Sequence, residues 1–125
     1  MKIEKVHSDS RGETHSLTSE LLTNCEEVAY FYTRKGISRG GCIHPSSREH
    51  LCVINGEIQY VYGDDMQKIT LYEGDSFTIE ANVPHYFTSI TDSLVMEWGC
   101  PLSDKKTHHP YFRSVVEALN NVQSI

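Results

Sequence analysis

Paired cysteines are missing from this sequence. Cys25, Cys42, Cys52 and Cys100 stand far apart, with no Cys-x-x-Cys spacing and no disulfide-dense framework, so reduced thiols are expected. Also missing is any apolar run of membrane-spanning length, and the opening Met-Lys-Ile-Glu-Lys lacks the hydrophobic stretch of a signal peptide. The expectation is a cytoplasmic protein with no membrane partner. Positive charge is scarce: 11 Lys and Arg against 17 Asp and Glu leave a net charge of −6. That argues against nucleic acid as a partner, because phosphate contacts need a clustered positive surface. Seven of those 11 basic residues nevertheless lie at or before Arg48, which leaves room for a local site for a small anionic ligand. No internal repeat is visible, and 125 residues suit a single domain over 1–125.

What the chain does contain is a regular succession of short strand-like runs and turns. Asp9-Ser-Arg11-Gly12 reads as a turn joining an edge strand to the next element. A helical turn or loop is expected from Thr18 to Asn24, and Val28 to Thr33 has the aromatic and β-branched content of a strand. Lys68 to Tyr72, Ser76 to Ile79, His85 to Ile90 and Leu94 to Trp98 follow. The turns between them fall at Gly63-Asp64-Asp65, Glu73-Gly74-Asp75, Asn82-Val-Pro84 and Thr91-Asp92-Ser93. The pattern predicts an all-β sandwich or barrel, read as a double-stranded β-helix or jelly roll. The tail differs. From Pro110 to Val122, Phe112, Val115, Val116, Leu119 and Val122 recur at helical spacing behind a proline suited to a first helical turn, which predicts a short amphipathic helix on the outside of the barrel. His108 and His109, just before it, could bind metal in principle, but as exposed loop histidines they are expected to have no specific role.

The centre of the chain carries the chemistry. Asn55-Gly56 suits a two-residue hairpin turn, which would pair residue 54 with 57, Val53 with Ile58, Leu51 with Tyr60 and Glu49 with Tyr62. One face then holds Glu49, Leu51, Val53, Ile58, Tyr60 and Tyr62, and the other His50, Cys52, Ile54, Glu57, Gln59 and Val61. The first face is the better core, yet it includes a carboxylate, whose burial is costly without a partner. A hydrogen bond from Tyr62 would satisfy it simply. Cys42 and His44 offer more, because they share a strand face and can converge with Glu49 on one point.

The spacing of these residues resembles the first motif of the cupins: glycine, five spacers, His, one spacer, His, three or four spacers, Glu, six spacers, glycine. Gly36, Cys42, His44, Glu49 and Gly56 fall on those positions, with Cys42 replacing the first histidine. The second cupin motif is matched by Gly74-Asp75 and by His85 eleven positions after the glycine, preceded by Pro84. Glu80, Asn82 and Ser89 depart from it. Asp9-x-Arg11-Gly12 and Arg39-Gly40-Gly41-Cys42 resemble segments of the nucleotide-sugar cupins, the RmlC-like 3,5-epimerases and the 3,4-ketoisomerases; His44 favours the latter.

The resemblance implies a site. As a sugar isomerase or epimerase, the chain would use His44 as base, Glu49 to orient it, and Tyr60, Tyr62 or His85 as proton donor. Arg11, Arg39 and Arg48 would bind a diphosphate, and Trp98 would contribute to the apolar floor under the sugar. As a metal-dependent cupin enzyme, a dioxygenase or isomerase, it would hold a divalent cation on His44, Glu49 and His85 with Cys42 as fourth ligand. Zinc or iron comes first because of the thiol, with nickel, copper and manganese also open; the same residues equally suit a cavity without metal. A non-catalytic protein holding a carbohydrate or small anion is the third reading. Cys42 beside His44 would also suit a nucleophile. Small cupins are commonly homodimers, and the resemblance implies one here.

Overall fold

The computed structural model describes residues 2–18, 28–100 and 106–123. Among the described residues, eleven strands precede one helix: β1 (Lys2–Asp9), β2 (Gly12–Thr18), β3 (Val28–Thr33), β4 (Ser38–Ile43), β5 (Glu49–Asn55), β6 (Glu57–Tyr62), β7 (Gln67–Tyr72), β8 (Ser76–Ile79), β9 (His85–Ser89), β10 (Ser93–Trp98), β11 (Thr107–His108) and α1 (Pro110–Gln123). All pairings are antiparallel. They build a six-stranded sheet in the order β1-β2-β3-β10-β5-β8 and a five-stranded sheet in the order β11-β4-β9-β6-β7. This is the expected double-stranded β-helix with a C-terminal helix. The expected turn or loop lies outside the described residues from position 19 onward, as does Cys25.

The two sheets face each other across Leu51, Val53, Ile58, Tyr60, Leu71, Ile79, Phe87 and Val95. Alternation along each strand supplies this layer, since every second side chain points inward. In β5, Glu49, Leu51 and Val53 are buried while His50 and Cys52 are only half-buried.

The turn at Asn55-Gly56 corrects the expected hairpin. β5 pairs with β10 and β8, whereas β6 pairs with β7 and β9, so Val53 and Ile58 are not ladder partners. The chain steps here from one sheet to the other. A type I′ hairpin needs positive φ at both central residues, but only Gly56 has it, at +90°. There the glycine passes close to the Asp92–Ser93 backbone. The predicted faces survive for Glu49, Leu51, Val53, Ile58 and Tyr60, because alternation within a strand does not depend on its neighbour.

Val61 departs from the outer, polar reading of its face. It lies beneath α1, in a second cluster with Tyr86, Phe112 and Val116. Burying the last two side chains stabilises the docked helix by roughly 1.5–3 kcal/mol each. Gly41 allows the close approach: a Cβ there would lie 2.7 Å from the Arg113 Cα. At the far end, the Ser38 amide donates to Asn120 Oδ1 at 2.7 Å, and Asn120 Nδ2 donates to the Ser38 carbonyl at 2.9 Å. The helix thus satisfies backbone groups on an otherwise open edge of β4.

Candidate functional site

Three predicted residues meet at the floor of a cavity of about 310 Å³. His44 Nε2 lies 2.9 Å from Glu49 Oε2, and His85 Nε2 lies 3.7 Å from Glu49 Oε1. The two imidazoles stack at 6.0 Å between centroids, 11° from parallel. β5 brings Glu49 in on its inward alternation, β9 opens with His85, and His44 follows β4. Burial pushes the Glu49 carboxyl up, but contact with His44 and the nearby His85 outweigh it, and its pKa ends below the usual value. Burial lowers the pKa of His85. Its Nδ1 hydrogen is donated to the Val83 carbonyl at 2.9 Å, so the neutral ring turns the lone pair of Nε2 toward Glu49.

A bulge in β4 shapes the wall. The ladder with β9 slips between Gly40 and Cys42, and Gly40 and Gly41 have φ of +114° and +83°. The extra residue resets the alternation, so Arg39 and Cys42, three apart, both line the cavity. Cys42 is buried, and that burial raises its thiol pKa. The thiol closest to the histidine–glutamate pair is a different one. Cys100 Sγ lies 3.4 Å from His44 Nδ1 and 3.8 Å from Glu49 Oε2. One ligand atom from each of His44, Glu49 and Cys100 falls within 4.8 Å of the other two, and Cys42 is outside this set.

Two more groups enter the cavity from the inner face. Glu97 on β10 lines it, and burial followed by the charge of Glu49 raises the Glu97 pKa well above the ordinary carboxyl value. Tyr60 is fully buried, stacks 6.0 Å from His85, and carries a hydroxyl with no hydrogen-bond partner. A buried hydroxyl without a partner costs stability, and here it belongs to a residue lining the cavity.

The cavity is rich in basic side chains despite the acidic chain: Arg11, Arg39, Lys106, His108 and Arg113 all line it. Arg39 is buried, donates to Thr33 Oγ1, Thr14 Oγ1 and the Tyr32 carbonyl, and lies over the Phe31 ring. Burial, with Arg11 nearby, lowers its pKa to about 10, so it keeps its charge at neutral pH. Arg11 donates to Asp9 Oδ2 at 2.9 Å and holds that carboxyl well below its usual range. Three predicted residues are not among those lining the cavity. Arg48 is an exposed partner of Glu80, Trp98 packs on His50 at 5.6 Å, and Tyr62 packs on Phe77 beside the core.

The cupin domain model matches residues 34–102, more than half of the sequence. The chain belongs to the cupin family. A curated relative of this cupin from Pseudomonas aeruginosa, UDP-2-acetamido-2,6-beta-L-arabino-hexul-4-ose reductase, is 28% identical over 123 residues. The match covers 90% of this chain and 32% of the relative, so the chain spans about a third of that protein's length. Among solved structures, CapF with the inhibitor 3-isopropenyl-tropolone superposes with a TM-score of 0.73 at 15% identity, covering 86% of this chain and 34% of CapF. FeII HppE superposes at 0.62 with 19% identity, covering 79% of this chain and 56% of its own. At these identities the likeness is one of fold.

In this cupin the sequence reading missed Cys100, Glu97, Lys106, His108 and Arg113. Glu97 carried a weak signal, an acid in the apolar run Leu94 to Trp98 at the parity of Val95. The other four depend on which strands and loops are neighbours in space.

Proposed function

We propose that this cupin is an isomerase or epimerase of a nucleotide-linked keto-sugar, removing a proton beside the carbonyl and returning it to the neighbouring carbon or to the opposite face of the same one. One observation carries the reading: one cavity is lined both by the His44, Glu49 and His85 cluster and by the cationic side chains of Arg11, Arg39, Lys106 and Arg113. Guanidinium and ammonium groups suit a diphosphate, and a floor with a neutral imidazole beside carboxyl groups suits proton transfer. The name of the curated relative, a reductase of a UDP-linked hexulose, is in keeping with such a ligand.

His85 is the better base by geometry. Its Nδ1 hydrogen is committed to Val83, so Nε2 accepts the substrate proton, and Glu49 stabilises the imidazolium that results. His44 has neighbours at both nitrogens, which suits it to positioning Glu49. Tyr60 and the protonated Glu97 donate toward the substrate oxygen on which charge develops. His44, Glu49 and Cys100 also fit a divalent metal, which would supply a Lewis acid to polarise that oxygen. Arg39, already fixed by three acceptors, holds the diphosphate without reorganising.

Deuterium exchange tests this directly. The protein is incubated in heavy water with UDP- and dTDP-linked 4-keto-sugars, and the proton signals beside the carbonyl are followed by NMR. Loss of one signal with wild-type protein, and its persistence with His85→Ala, is the expected result. Persistence of every signal with wild-type protein, although UDP binds, would sink the proton-transfer reading and leave a binding protein.

A further inference from the structure

We infer that Cys100, not the motif residue Cys42, supplies the sulfur of a three-residue site with His44 and Glu49 for a thiophilic divalent metal such as zinc or iron(II). The inference concerns metal binding alone and stands whether or not the substrate is a sugar.

Strand parity would send Cys100 elsewhere. Trp98 pairs with His50, and both belong to the outer face of β10 and β5; two residues on, Cys100 would share it. Gly99 prevents this. Its φ of +104° breaks the alternation just beyond the strand, and a Cβ at Gly99 would stand 2.8 Å from the His50 ring. The chain turns there, and Cys100 Sγ comes within 3.4 Å of His44 Nδ1, 3.7 Å of the Arg48 carbonyl and 3.8 Å of Glu49 Oε2.

The three donors differ in kind and come from three separate places: the loop after β4, the start of β5 and the end of β10. Cys100 and His44 are half a chain apart. Imidazole, carboxylate and thiol make a mixed set of three protein donors, the number that open zinc sites use. A thiolate excludes magnesium and calcium and disfavours manganese. Binding displaces the thiol proton to the buffer as the sulfur–metal bond forms, so affinity rises with pH. His85 stays outside the trio, its Nε2 available for proton transfer.

Cobalt(II) is the probe, because thiolate coordination produces a near-ultraviolet charge-transfer band that nitrogen and oxygen ligands do not. Purified, reduced protein is titrated with cobalt without oxygen, and zinc is then added. Wild-type protein, Cys25→Ser, Cys42→Ser and Cys52→Ser are expected to show the band and lose it to zinc. Cys100→Ser is expected to lack it and to bind zinc more weakly by more than the roughly 10- to 100-fold that losing an outer ligand partner costs. Cys100→His guards against simple unfolding: it is expected to recover zinc binding without the band. A band that survives Cys100→Ser and disappears in Cys42→Ser would overturn the assignment, as would no band in wild-type protein.

Discussion

Glu49 and Glu97 lie diagonally across neighbouring strands on the inner face of the barrel. Glu97 pairs with Leu51, two residues from Glu49, and neighbours so placed are within interaction range. Their proton affinities are pushed apart: Glu49 falls below the ordinary carboxyl value and Glu97 rises well above it. Two acids held oppositely in one cavity divide the roles of anion and proton donor.

Stability should record this division. A raised folded pKa means that the contribution of Glu97 is fully present below its unfolded value, near 4.5, and is lost as pH rises through the folded value. In that window the slope reaches about 1.4 kcal/mol per pH unit. Urea midpoints from pH 5 to 9 are expected to fall more steeply for wild-type protein than for Glu97→Gln. Parallel curves would show that Glu97 ionises normally.

Tyr60→Phe is expected to separate function from folding. The hydroxyl has no partner, so its removal leaves stability unchanged or raised by up to about 1 kcal/mol. If that hydroxyl donates to substrate, turnover drops by roughly 100-fold or more. Urea denaturation and exchange rates measured on one preparation decide it; a stability loss above about 2 kcal/mol would mean that the hydroxyl serves the core.

Lys106 lines the cavity, while Arg48 pairs with Glu80 outside it. Lys106→Ala is expected to weaken UDP binding about 2- to 5-fold, as loss of one exposed charge contact does, and the difference shrinks as salt rises. Arg48→Ala is expected to leave affinity unchanged. Calorimetric titrations at two salt concentrations would show equal losses if the anion sat elsewhere.

The helix contributes to stability through a few residues. Phe112 is 1% exposed and meets Tyr86 edge-on at 5.8 Å, so Phe112→Ala is expected to cost about 3–5 kcal/mol. Leu119 is 39% exposed on the same helix and its substitution by alanine should cost within about 0.5 kcal/mol. Thermal melts of the two variants compare them directly, and similar losses would mean that α1 is held by some other face.

Strand periodicity and turn chemistry are local properties, and they were legible residue by residue: Val28 to Thr33 and Ser76 to Ile79 are strands with the predicted ends, and Phe112 and Val116 form the buried stripe of the tail. The spacing of Gly36, Cys42, His44, Glu49 and Gly56 likewise carried the family. Which strands become neighbours is not local. Asn55-Gly56 is compatible with a hairpin or with a step between sheets, and only packing against the Thr91 to Ser93 turn chooses the step. The same holds for the thiol beside His44. Cys42 occupies the motif position by sequence, but Cys100 reaches His44 because β10 lies against β5 and Gly99 turns the chain inward, a meeting of residues 56 positions apart that only the closed barrel creates.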